Sequence, residues 1–94
     1  MSIAIKIRYL AVLKGLSSKP EFPLNVDVSS LDELLHYLNC VEQESLKSRL
    51  FTGDIVRPDV IIFINGKDAS ILGGGEAKLK DGDEITFLPS VHGG

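Results

Sequence analysis

Residues 29–39 read SSLDELLHYLN, and this run decides the fold. Ser30 stands three residues before Glu33, the spacing at which a hydroxyl and a carboxylate satisfy the first free amides of a helix. Leu31, Leu34, Leu35 and Leu38 then recur at i, i+3, i+4 and i+7, one apolar stripe on a helical surface. A helix with a single stripe must bury it against another layer. The preceding segments supply strands for that layer. Residues 2–10 alternate: Ile3, Ile5, Ile7 and Tyr9 share one face, and Ala4, Lys6 and Arg8 share the other. Residues 22–28 repeat the pattern with Phe22, Leu24, Val26 and Val28. KGLSSKP at 14–20 reads as a loop between the two, short enough for an antiparallel hairpin.

Beyond the helix, residues 43–51 space Leu46 and Leu50 by four and predict a further short helical turn. TGDIVRPD at 52–59 is a turn-rich boundary. VIIFIN at 60–65 is apolar on both faces and rich in β-branched residues, the pattern of an inner strand. Asn65-Gly66 is a tight-turn signal, and a short piece at 70–72 is expected to pair back. Residues 84–90, EITFLPS, form the last strand. Ile85 and Phe87 point one way, Thr86 and Leu88 the other, and Pro89 ends it because proline cannot donate to a ladder. One helix across a mixed sheet of four to five strands is an α+β architecture, the β-grasp of ubiquitin. Its first and last strands are expected as parallel central neighbours. The expected organisation is a β-grasp domain over 1–89 and a flexible C-terminal tail over 90–94.

Bulk properties narrow the function. The chain has 94 residues, 44% hydrophobic and 24% charged, which fits one soluble globular domain. Four Phe, two Tyr and no Trp leave most of the core to aliphatic side chains. Net charge is −3 and the pI is 5.2. That is a poor match for phosphate backbones, so no direct nucleic-acid binding is expected. Cys40 is the one cysteine, so no internal disulfide forms, and it lacks the companions that an iron–sulfur cluster or structural zinc requires. Lys6 and Arg8 interrupt the N-terminal apolar run, and no stretch is long enough to span a bilayer. The expected location is the cytoplasm, with no bound metal or cofactor.

Candidate chemical groups are few. The triplet Gly73, Gly74 and Gly75 lacks phosphate-loop spacing and opens no helix; a turn at positive φ accounts for it. His36 and His92 have no paired carboxylate at ligand spacing. Cys40 reads as a small buried hydrophobe. Asp81, Asp83 and Glu84 read as a solvated turn. Nothing resembles a hydrolase triad, and the chain by itself is not expected to be an enzyme. The sequence ends FLPSVHGG. Gly93 and Gly94 carry no side chain and so can thread a channel that any Cβ would block. A terminal carboxylate is ionised near neutrality and a poor electrophile, so it reacts only after activation, most simply as an acyl-adenylate made with ATP.

LFTGDIVRPDVIIFING, LGG and LKDGDEITFLPSVHGG resemble the ubiquitin-related modifier family, sulfur carriers that also serve as protein modifiers. The resemblance covers residues 50–94 and rests on Arg57-Pro58, Asn65, Leu72-Gly73-Gly74, Asp81, Asp83 and His92-Gly93-Gly94. The last stretch is also similar to archaeal small modifier proteins and to the small subunit of molybdopterin synthase. The resemblance implies that an E1-like enzyme adenylates Gly94 and that the adenylate becomes a thiocarboxylate. The sulfur source would be a rhodanese or cysteine desulfurase type of donor. The sulfur then passes to a tRNA thiolation enzyme for 2-thiouridine, and the activated end can also join target-protein lysines. Val91 and His92 would be the neck read by the activating enzyme, and Gly93 would give clearance.

Strand register adds a docking surface. With Ile85 and Phe87 inward, Thr86 and Leu88 face out, and so do Ile61 and Phe63 on the neighbouring strand. Phe63 and Leu88, with Leu10, are expected to form an exposed apolar patch for a partner. Two other functions stay open on these residues: delivery of sulfur to a pterin precursor as a synthase small subunit, and a non-covalent β-grasp binding module.

Overall fold

The computed structural model describes residues 2–90 of the chain. Strand β1 (Ile3–Tyr9) leads through a short helix α1 (Leu13–Leu16) to β2 (Glu21–Val26). Helix α2 (Leu31–Val41) and helix α3 (Glu44–Leu50) follow. Next come β3 (Phe51–Thr52), β4 (Ile55–Val56), β5 (Val60–Ile64) and β6 (Lys67–Asp68). Two 3-10 turns, Ala69–Leu72 and Gly74–Glu76, precede β7 (Glu84–Pro89). The main sheet has the order β2-β1-β7-β5-β6, with β3 and β4 as a separate hairpin. β1 and β7 are parallel central neighbours and every other pair is antiparallel. This is the mixed five-stranded β-grasp sheet that the strand order predicts.

Helix α2 begins as its sequence requires. The Ser30 hydroxyl accepts the Glu33 amide at 3.3 Å. The Glu33 carboxylate accepts the amide of Ser29 at 2.6 Å, one residue earlier than the usual reciprocal partner. All four leucines of the stripe are buried, against Ile5, Ile7, Ile64, Ile85 and Phe87 of the sheet. Leu46 and Leu50 of α3 close the same core. The Tyr9 ring lies 5.4 Å from that of Phe87, and its hydroxyl donates to Glu42. Burial first, then the Glu42 carboxylate, push the Tyr9 phenol far above its ordinary range.

Several local readings are corrected. The 14–20 connection is not all loop: its start completes α1, because Leu13 is fully buried and draws the chain into a turn. The 52–59 boundary contains the β3–β4 hairpin, turning at Gly53 with φ +63°. Residues 70–72 do not pair back. Asn65 and Gly66 both take positive φ, so pairing resumes at once, Ile64 with Lys67 and Phe63 with Asp68. The Asp68 carboxylate then accepts the Ser70 amide at 2.9 Å and starts a 3-10 turn. Asp83 is not solvated but 3% exposed. Cys40 is exposed, with His36 Nε2 3.9 Å from its Sγ, a neighbour one helical turn away. Among the described residues, no helix is long and apolar enough to cross a membrane.

Candidate functional site

The central place of β7 sets the geometry. Alternation sends Ile85 and Phe87 into the core and Thr86 and Leu88 to the opposite face. Across the ladder to β5, Leu88 lies opposite Ile61, and Thr86 opposite Phe63. Across the ladder to β1, Thr86 lies opposite Arg8. The Leu10 amide donates to the Phe87 carbonyl at 3.0 Å, which brings Leu10 beside Leu88. Leu10, Ile61, Phe63 and Leu88 are all half-buried, and Thr86 is covered by its neighbours. The surface is therefore a partly shielded apolar row. Charges border it: Lys6 pairs with Glu21 at 2.5 Å, and Arg8 Nη1 reaches Glu84 at 3.4 Å. These pairs are solvent-facing and add little stability, but an apolar centre with a polar rim is the anatomy of a protein interface.

The strand exit lies beside this face. Pro89 sits opposite Val60 at a position that exchanges no main-chain hydrogen bonds with β5, so its missing N–H costs no pairing on that side. The Ser90 amide then donates to the Asp59 carbonyl at 2.6 Å. Asp59 is held from two sides: Arg49 Nη1 approaches Oδ1 to 3.2 Å, and Arg57 Nε to 3.3 Å. Arg57 also reaches the Ser48 carbonyl at 3.4 Å, tying the exit to α3. Partial desolvation alone would raise the Asp59 pKa. The hydrogen bond from Arg57 and the charges of Arg49 and Arg57 outweigh it and hold the carboxyl below its ordinary value. Sequence reading singled out Arg57 but missed Arg49 and Asp59. A pair ten residues apart has no local signature, and only the packing of α3 beside the β5 entry joins them.

Of the residues expected to carry function, Leu88 and Phe63 fall on the same sheet face as a diagonal pair, two residues apart in register. Val91, His92, Gly93 and Gly94 lie outside the described residues. The three carboxylates of the 81–84 turn diverge. Asp81 accepts the Ala4 amide at 2.7 Å, Asp83 turns inward to Asn65 Nδ2 at 2.8 Å, and Glu84 reaches Arg8. Among the described residues, no group of three or more His, Cys, Asp or Glu side chains converges as a metal site.

Comparison with known proteins bears on what this face and exit serve. The model of the family Urm1 (Ubiquitin related modifier) matches residues 4–94. Ubiquitin-related modifier 1 of Schizosaccharomyces pombe is 32% identical over 98 residues, an alignment covering 98% of this chain and 100% of that protein. Three other fungal proteins of that name align over 39%, 50% and 49% of their length. Among solved structures, the small archaeal modifier protein 1 of Methanosarcina acetivorans superimposes with a TM-score of 0.82 at 30% identity, covering 100% of this chain and 99% of that one. Urm1 of Trypanosoma brucei superimposes with a TM-score of 0.73 at 27% identity, covering 99% and 97%.

Proposed function

The chain belongs to the Urm1 (ubiquitin related modifier) family of ubiquitin-like modifiers and sulfur carriers, and from that premise we propose that Gly94 is its reacting residue. An E1-like enzyme docks on the Phe63–Leu88 face and takes the segment 90–94 into its active site. The Gly94 carboxylate attacks the α-phosphorus of ATP, pyrophosphate leaves, and an acyl-adenylate forms. The terminal sulfur of a persulfide on the donor protein, of rhodanese or cysteine desulfurase type, displaces AMP and gives an acyl disulfide. A thiol then attacks the donor-side sulfur, forms a disulfide with it and releases the thiocarboxylate. The chain binds ATP only through that enzyme and holds no cofactor of its own. The sulfur goes to a cytoplasmic tRNA thiolation enzyme, and the adenylate or its thioester can instead acylate target lysines.

The observation that carries this reading is the family match running through Gly94, on a fold whose last strand ends beside a half-buried apolar face. Residues 1–89 act as the recognised body and 90–94 as the delivered segment. Val91 and His92 give the enzyme side chains to read, and Gly93 gives clearance. The test is incubation with the E1-like enzyme, ATP and a persulfide donor. Intact mass should show one oxygen of the chain replaced by sulfur at Gly94. An unchanged mass with a demonstrably active enzyme overturns the proposal. Phe63→Ala should keep the fold and raise the KM for activation by about 10- to 100-fold, as loss of a central apolar anchor does. An unchanged KM removes the docking role of this face. Deletion of the gene should lower tRNA 2-thiouridine; loss of molybdenum-enzyme activity in its place would assign the chain to pterin synthesis.

A further inference from the structure

The opposite side of β5 carries an unclaimed surface. β6 is two residues long and covers only Phe63 and Ile64, so Val60, Ile61 and Ile62 are paired on the β7 side alone. The bonds Ser90 to Asp59 and Asn65 to Glu84 set the alternation of the β5–β7 ladder. Residues 59, 61, 63 and 65 turn their main-chain groups to β7, while Val60 and Ile62 turn theirs outward. The Val60 amide is taken by the Arg57 carbonyl at 3.1 Å. Among the described residues, the Val60 carbonyl and the Ile62 amide face this edge. An edge of this kind is a template for another strand.

That edge opens into a groove of about 710 Å³ between α2 and the β3–β4 hairpin. Leu35, Val56, Val60 and Ile62 line it, and Ile55, 73% exposed, stands over its mouth. Asp32, Asp54 and Asp68 are spread along the groove, and among the described residues no lysine or arginine lines it. Asp68 is held below the ordinary carboxylate range by the amide and hydroxyl of Ser70, so its charge persists through mildly acidic pH. The 3-10 turn at Ala69–Leu72 bounds one end and the hairpin bounds the other, leaving room for only a few residues in extended form.

We propose that this groove binds a short extended peptide of a partner protein, which pairs with the Val60–Ile62 edge, packs apolar side chains on Leu35 and Ile55, and sets flanking lysine or arginine against the three aspartates. Main-chain pairing gives affinity, alternate side chains give specificity, and charge gives orientation. The site lies along the edge of β5 that faces away from β7.

The probe is acetyl-Lys-Val-Ile-Val-Lys-amide, titrated into the isotope-labelled full chain. Amide shifts should centre on residues 60, 62, 32 and 54, and exchange of the Ile62 amide should slow. A peptide with glutamate in place of both lysines should bind roughly tenfold more weakly or worse. Ile55→Lys, at an exposed position that leaves the circular dichroism unchanged, should abolish the shifts. The proposal is overturned if millimolar peptide leaves these amides unmoved, or if its shifts map to the Phe63–Leu88 face. It is equally overturned if the shifts at 60 and 62 arise from the chain's own concentration without peptide, which would make the occupant a second copy.

Discussion

Asp83 shows how far a single side chain can depart from its local sequence. DGDE at 81–84 has the composition of a solvated turn, yet Asp83 is buried while its neighbours are not. Its Oδ1 accepts Asn65 Nδ2 at 2.8 Å, its Oδ2 accepts the Lys80 amide at 2.9 Å, and its carbonyl accepts the Lys6 amide at 2.9 Å. Asn65 answers by accepting the Glu84 amide at 2.9 Å. One carboxylate thus joins the β5–β6 turn to the β7 entry. Asp83→Ala strands the Lys80 amide and the Asn65 side-chain NH₂, both partly shielded from water, and should cost about 1–3 kcal/mol in urea unfolding. Asp81→Ala, exposed and holding the Ala4 amide alone, should cost less than about 1 kcal/mol. Equal losses would mean that burial is not what distinguishes the two. Asp83 belongs to the stretch that resembles the family, but its role depends on a partner eighteen residues away that no local pattern names.

Helix α2 was the most legible element. Its stripe named all four buried leucines, because periodicity and burial have the same geometric cause. Its start also has a pH signature. The amide and then the hydroxyl of Ser29 hydrogen-bond the Glu33 carboxylate and hold its pKa below the ordinary value. The folded state therefore takes up this proton less readily than the unfolded chain. The contribution is present above the ordinary carboxylate pKa and is lost as pH falls through the lower folded value. In Glu33→Gln, the melting temperature should fall less than in the parent chain between about pH 5 and pH 3. An identical fall would show that this carboxylate carries none of the acid sensitivity. The short elements were harder to read. α1, the β3–β4 hairpin and β6 each hold few residues, so no period accumulates and tertiary contacts decide them. Residues 70–72 illustrate this: their apolar character suited a strand, and the cap from Asp68 made a 3-10 turn.

At the scale of the molecule, β7 is the keystone. It separates β1 from β5 and places Ile85 and Phe87, both almost fully buried, at the centre of the core. Parallel pairing of Lys6 with Glu84 joins the two ends of the domain. A chain ending at Gly82 should lack cooperative thermal unfolding by circular dichroism, since β1 and β5 would have no common neighbour. A sharp transition in that fragment would contradict this role for β7. The sequence by itself determined the strand and helix periods, the parallel closure and the inward faces, because these follow from repeating patterns along the chain and from handedness rules that admit few topologies; its motifs, not its periods, carried the family resemblance. Tertiary structure alone decided the burial of Asp83, the Arg49–Asp59–Arg57 clasp at the strand exit, and the open edge of β5 beside its acidic groove. Each depends on groups distant in sequence meeting in one place, and that meeting is set by how the layers pack.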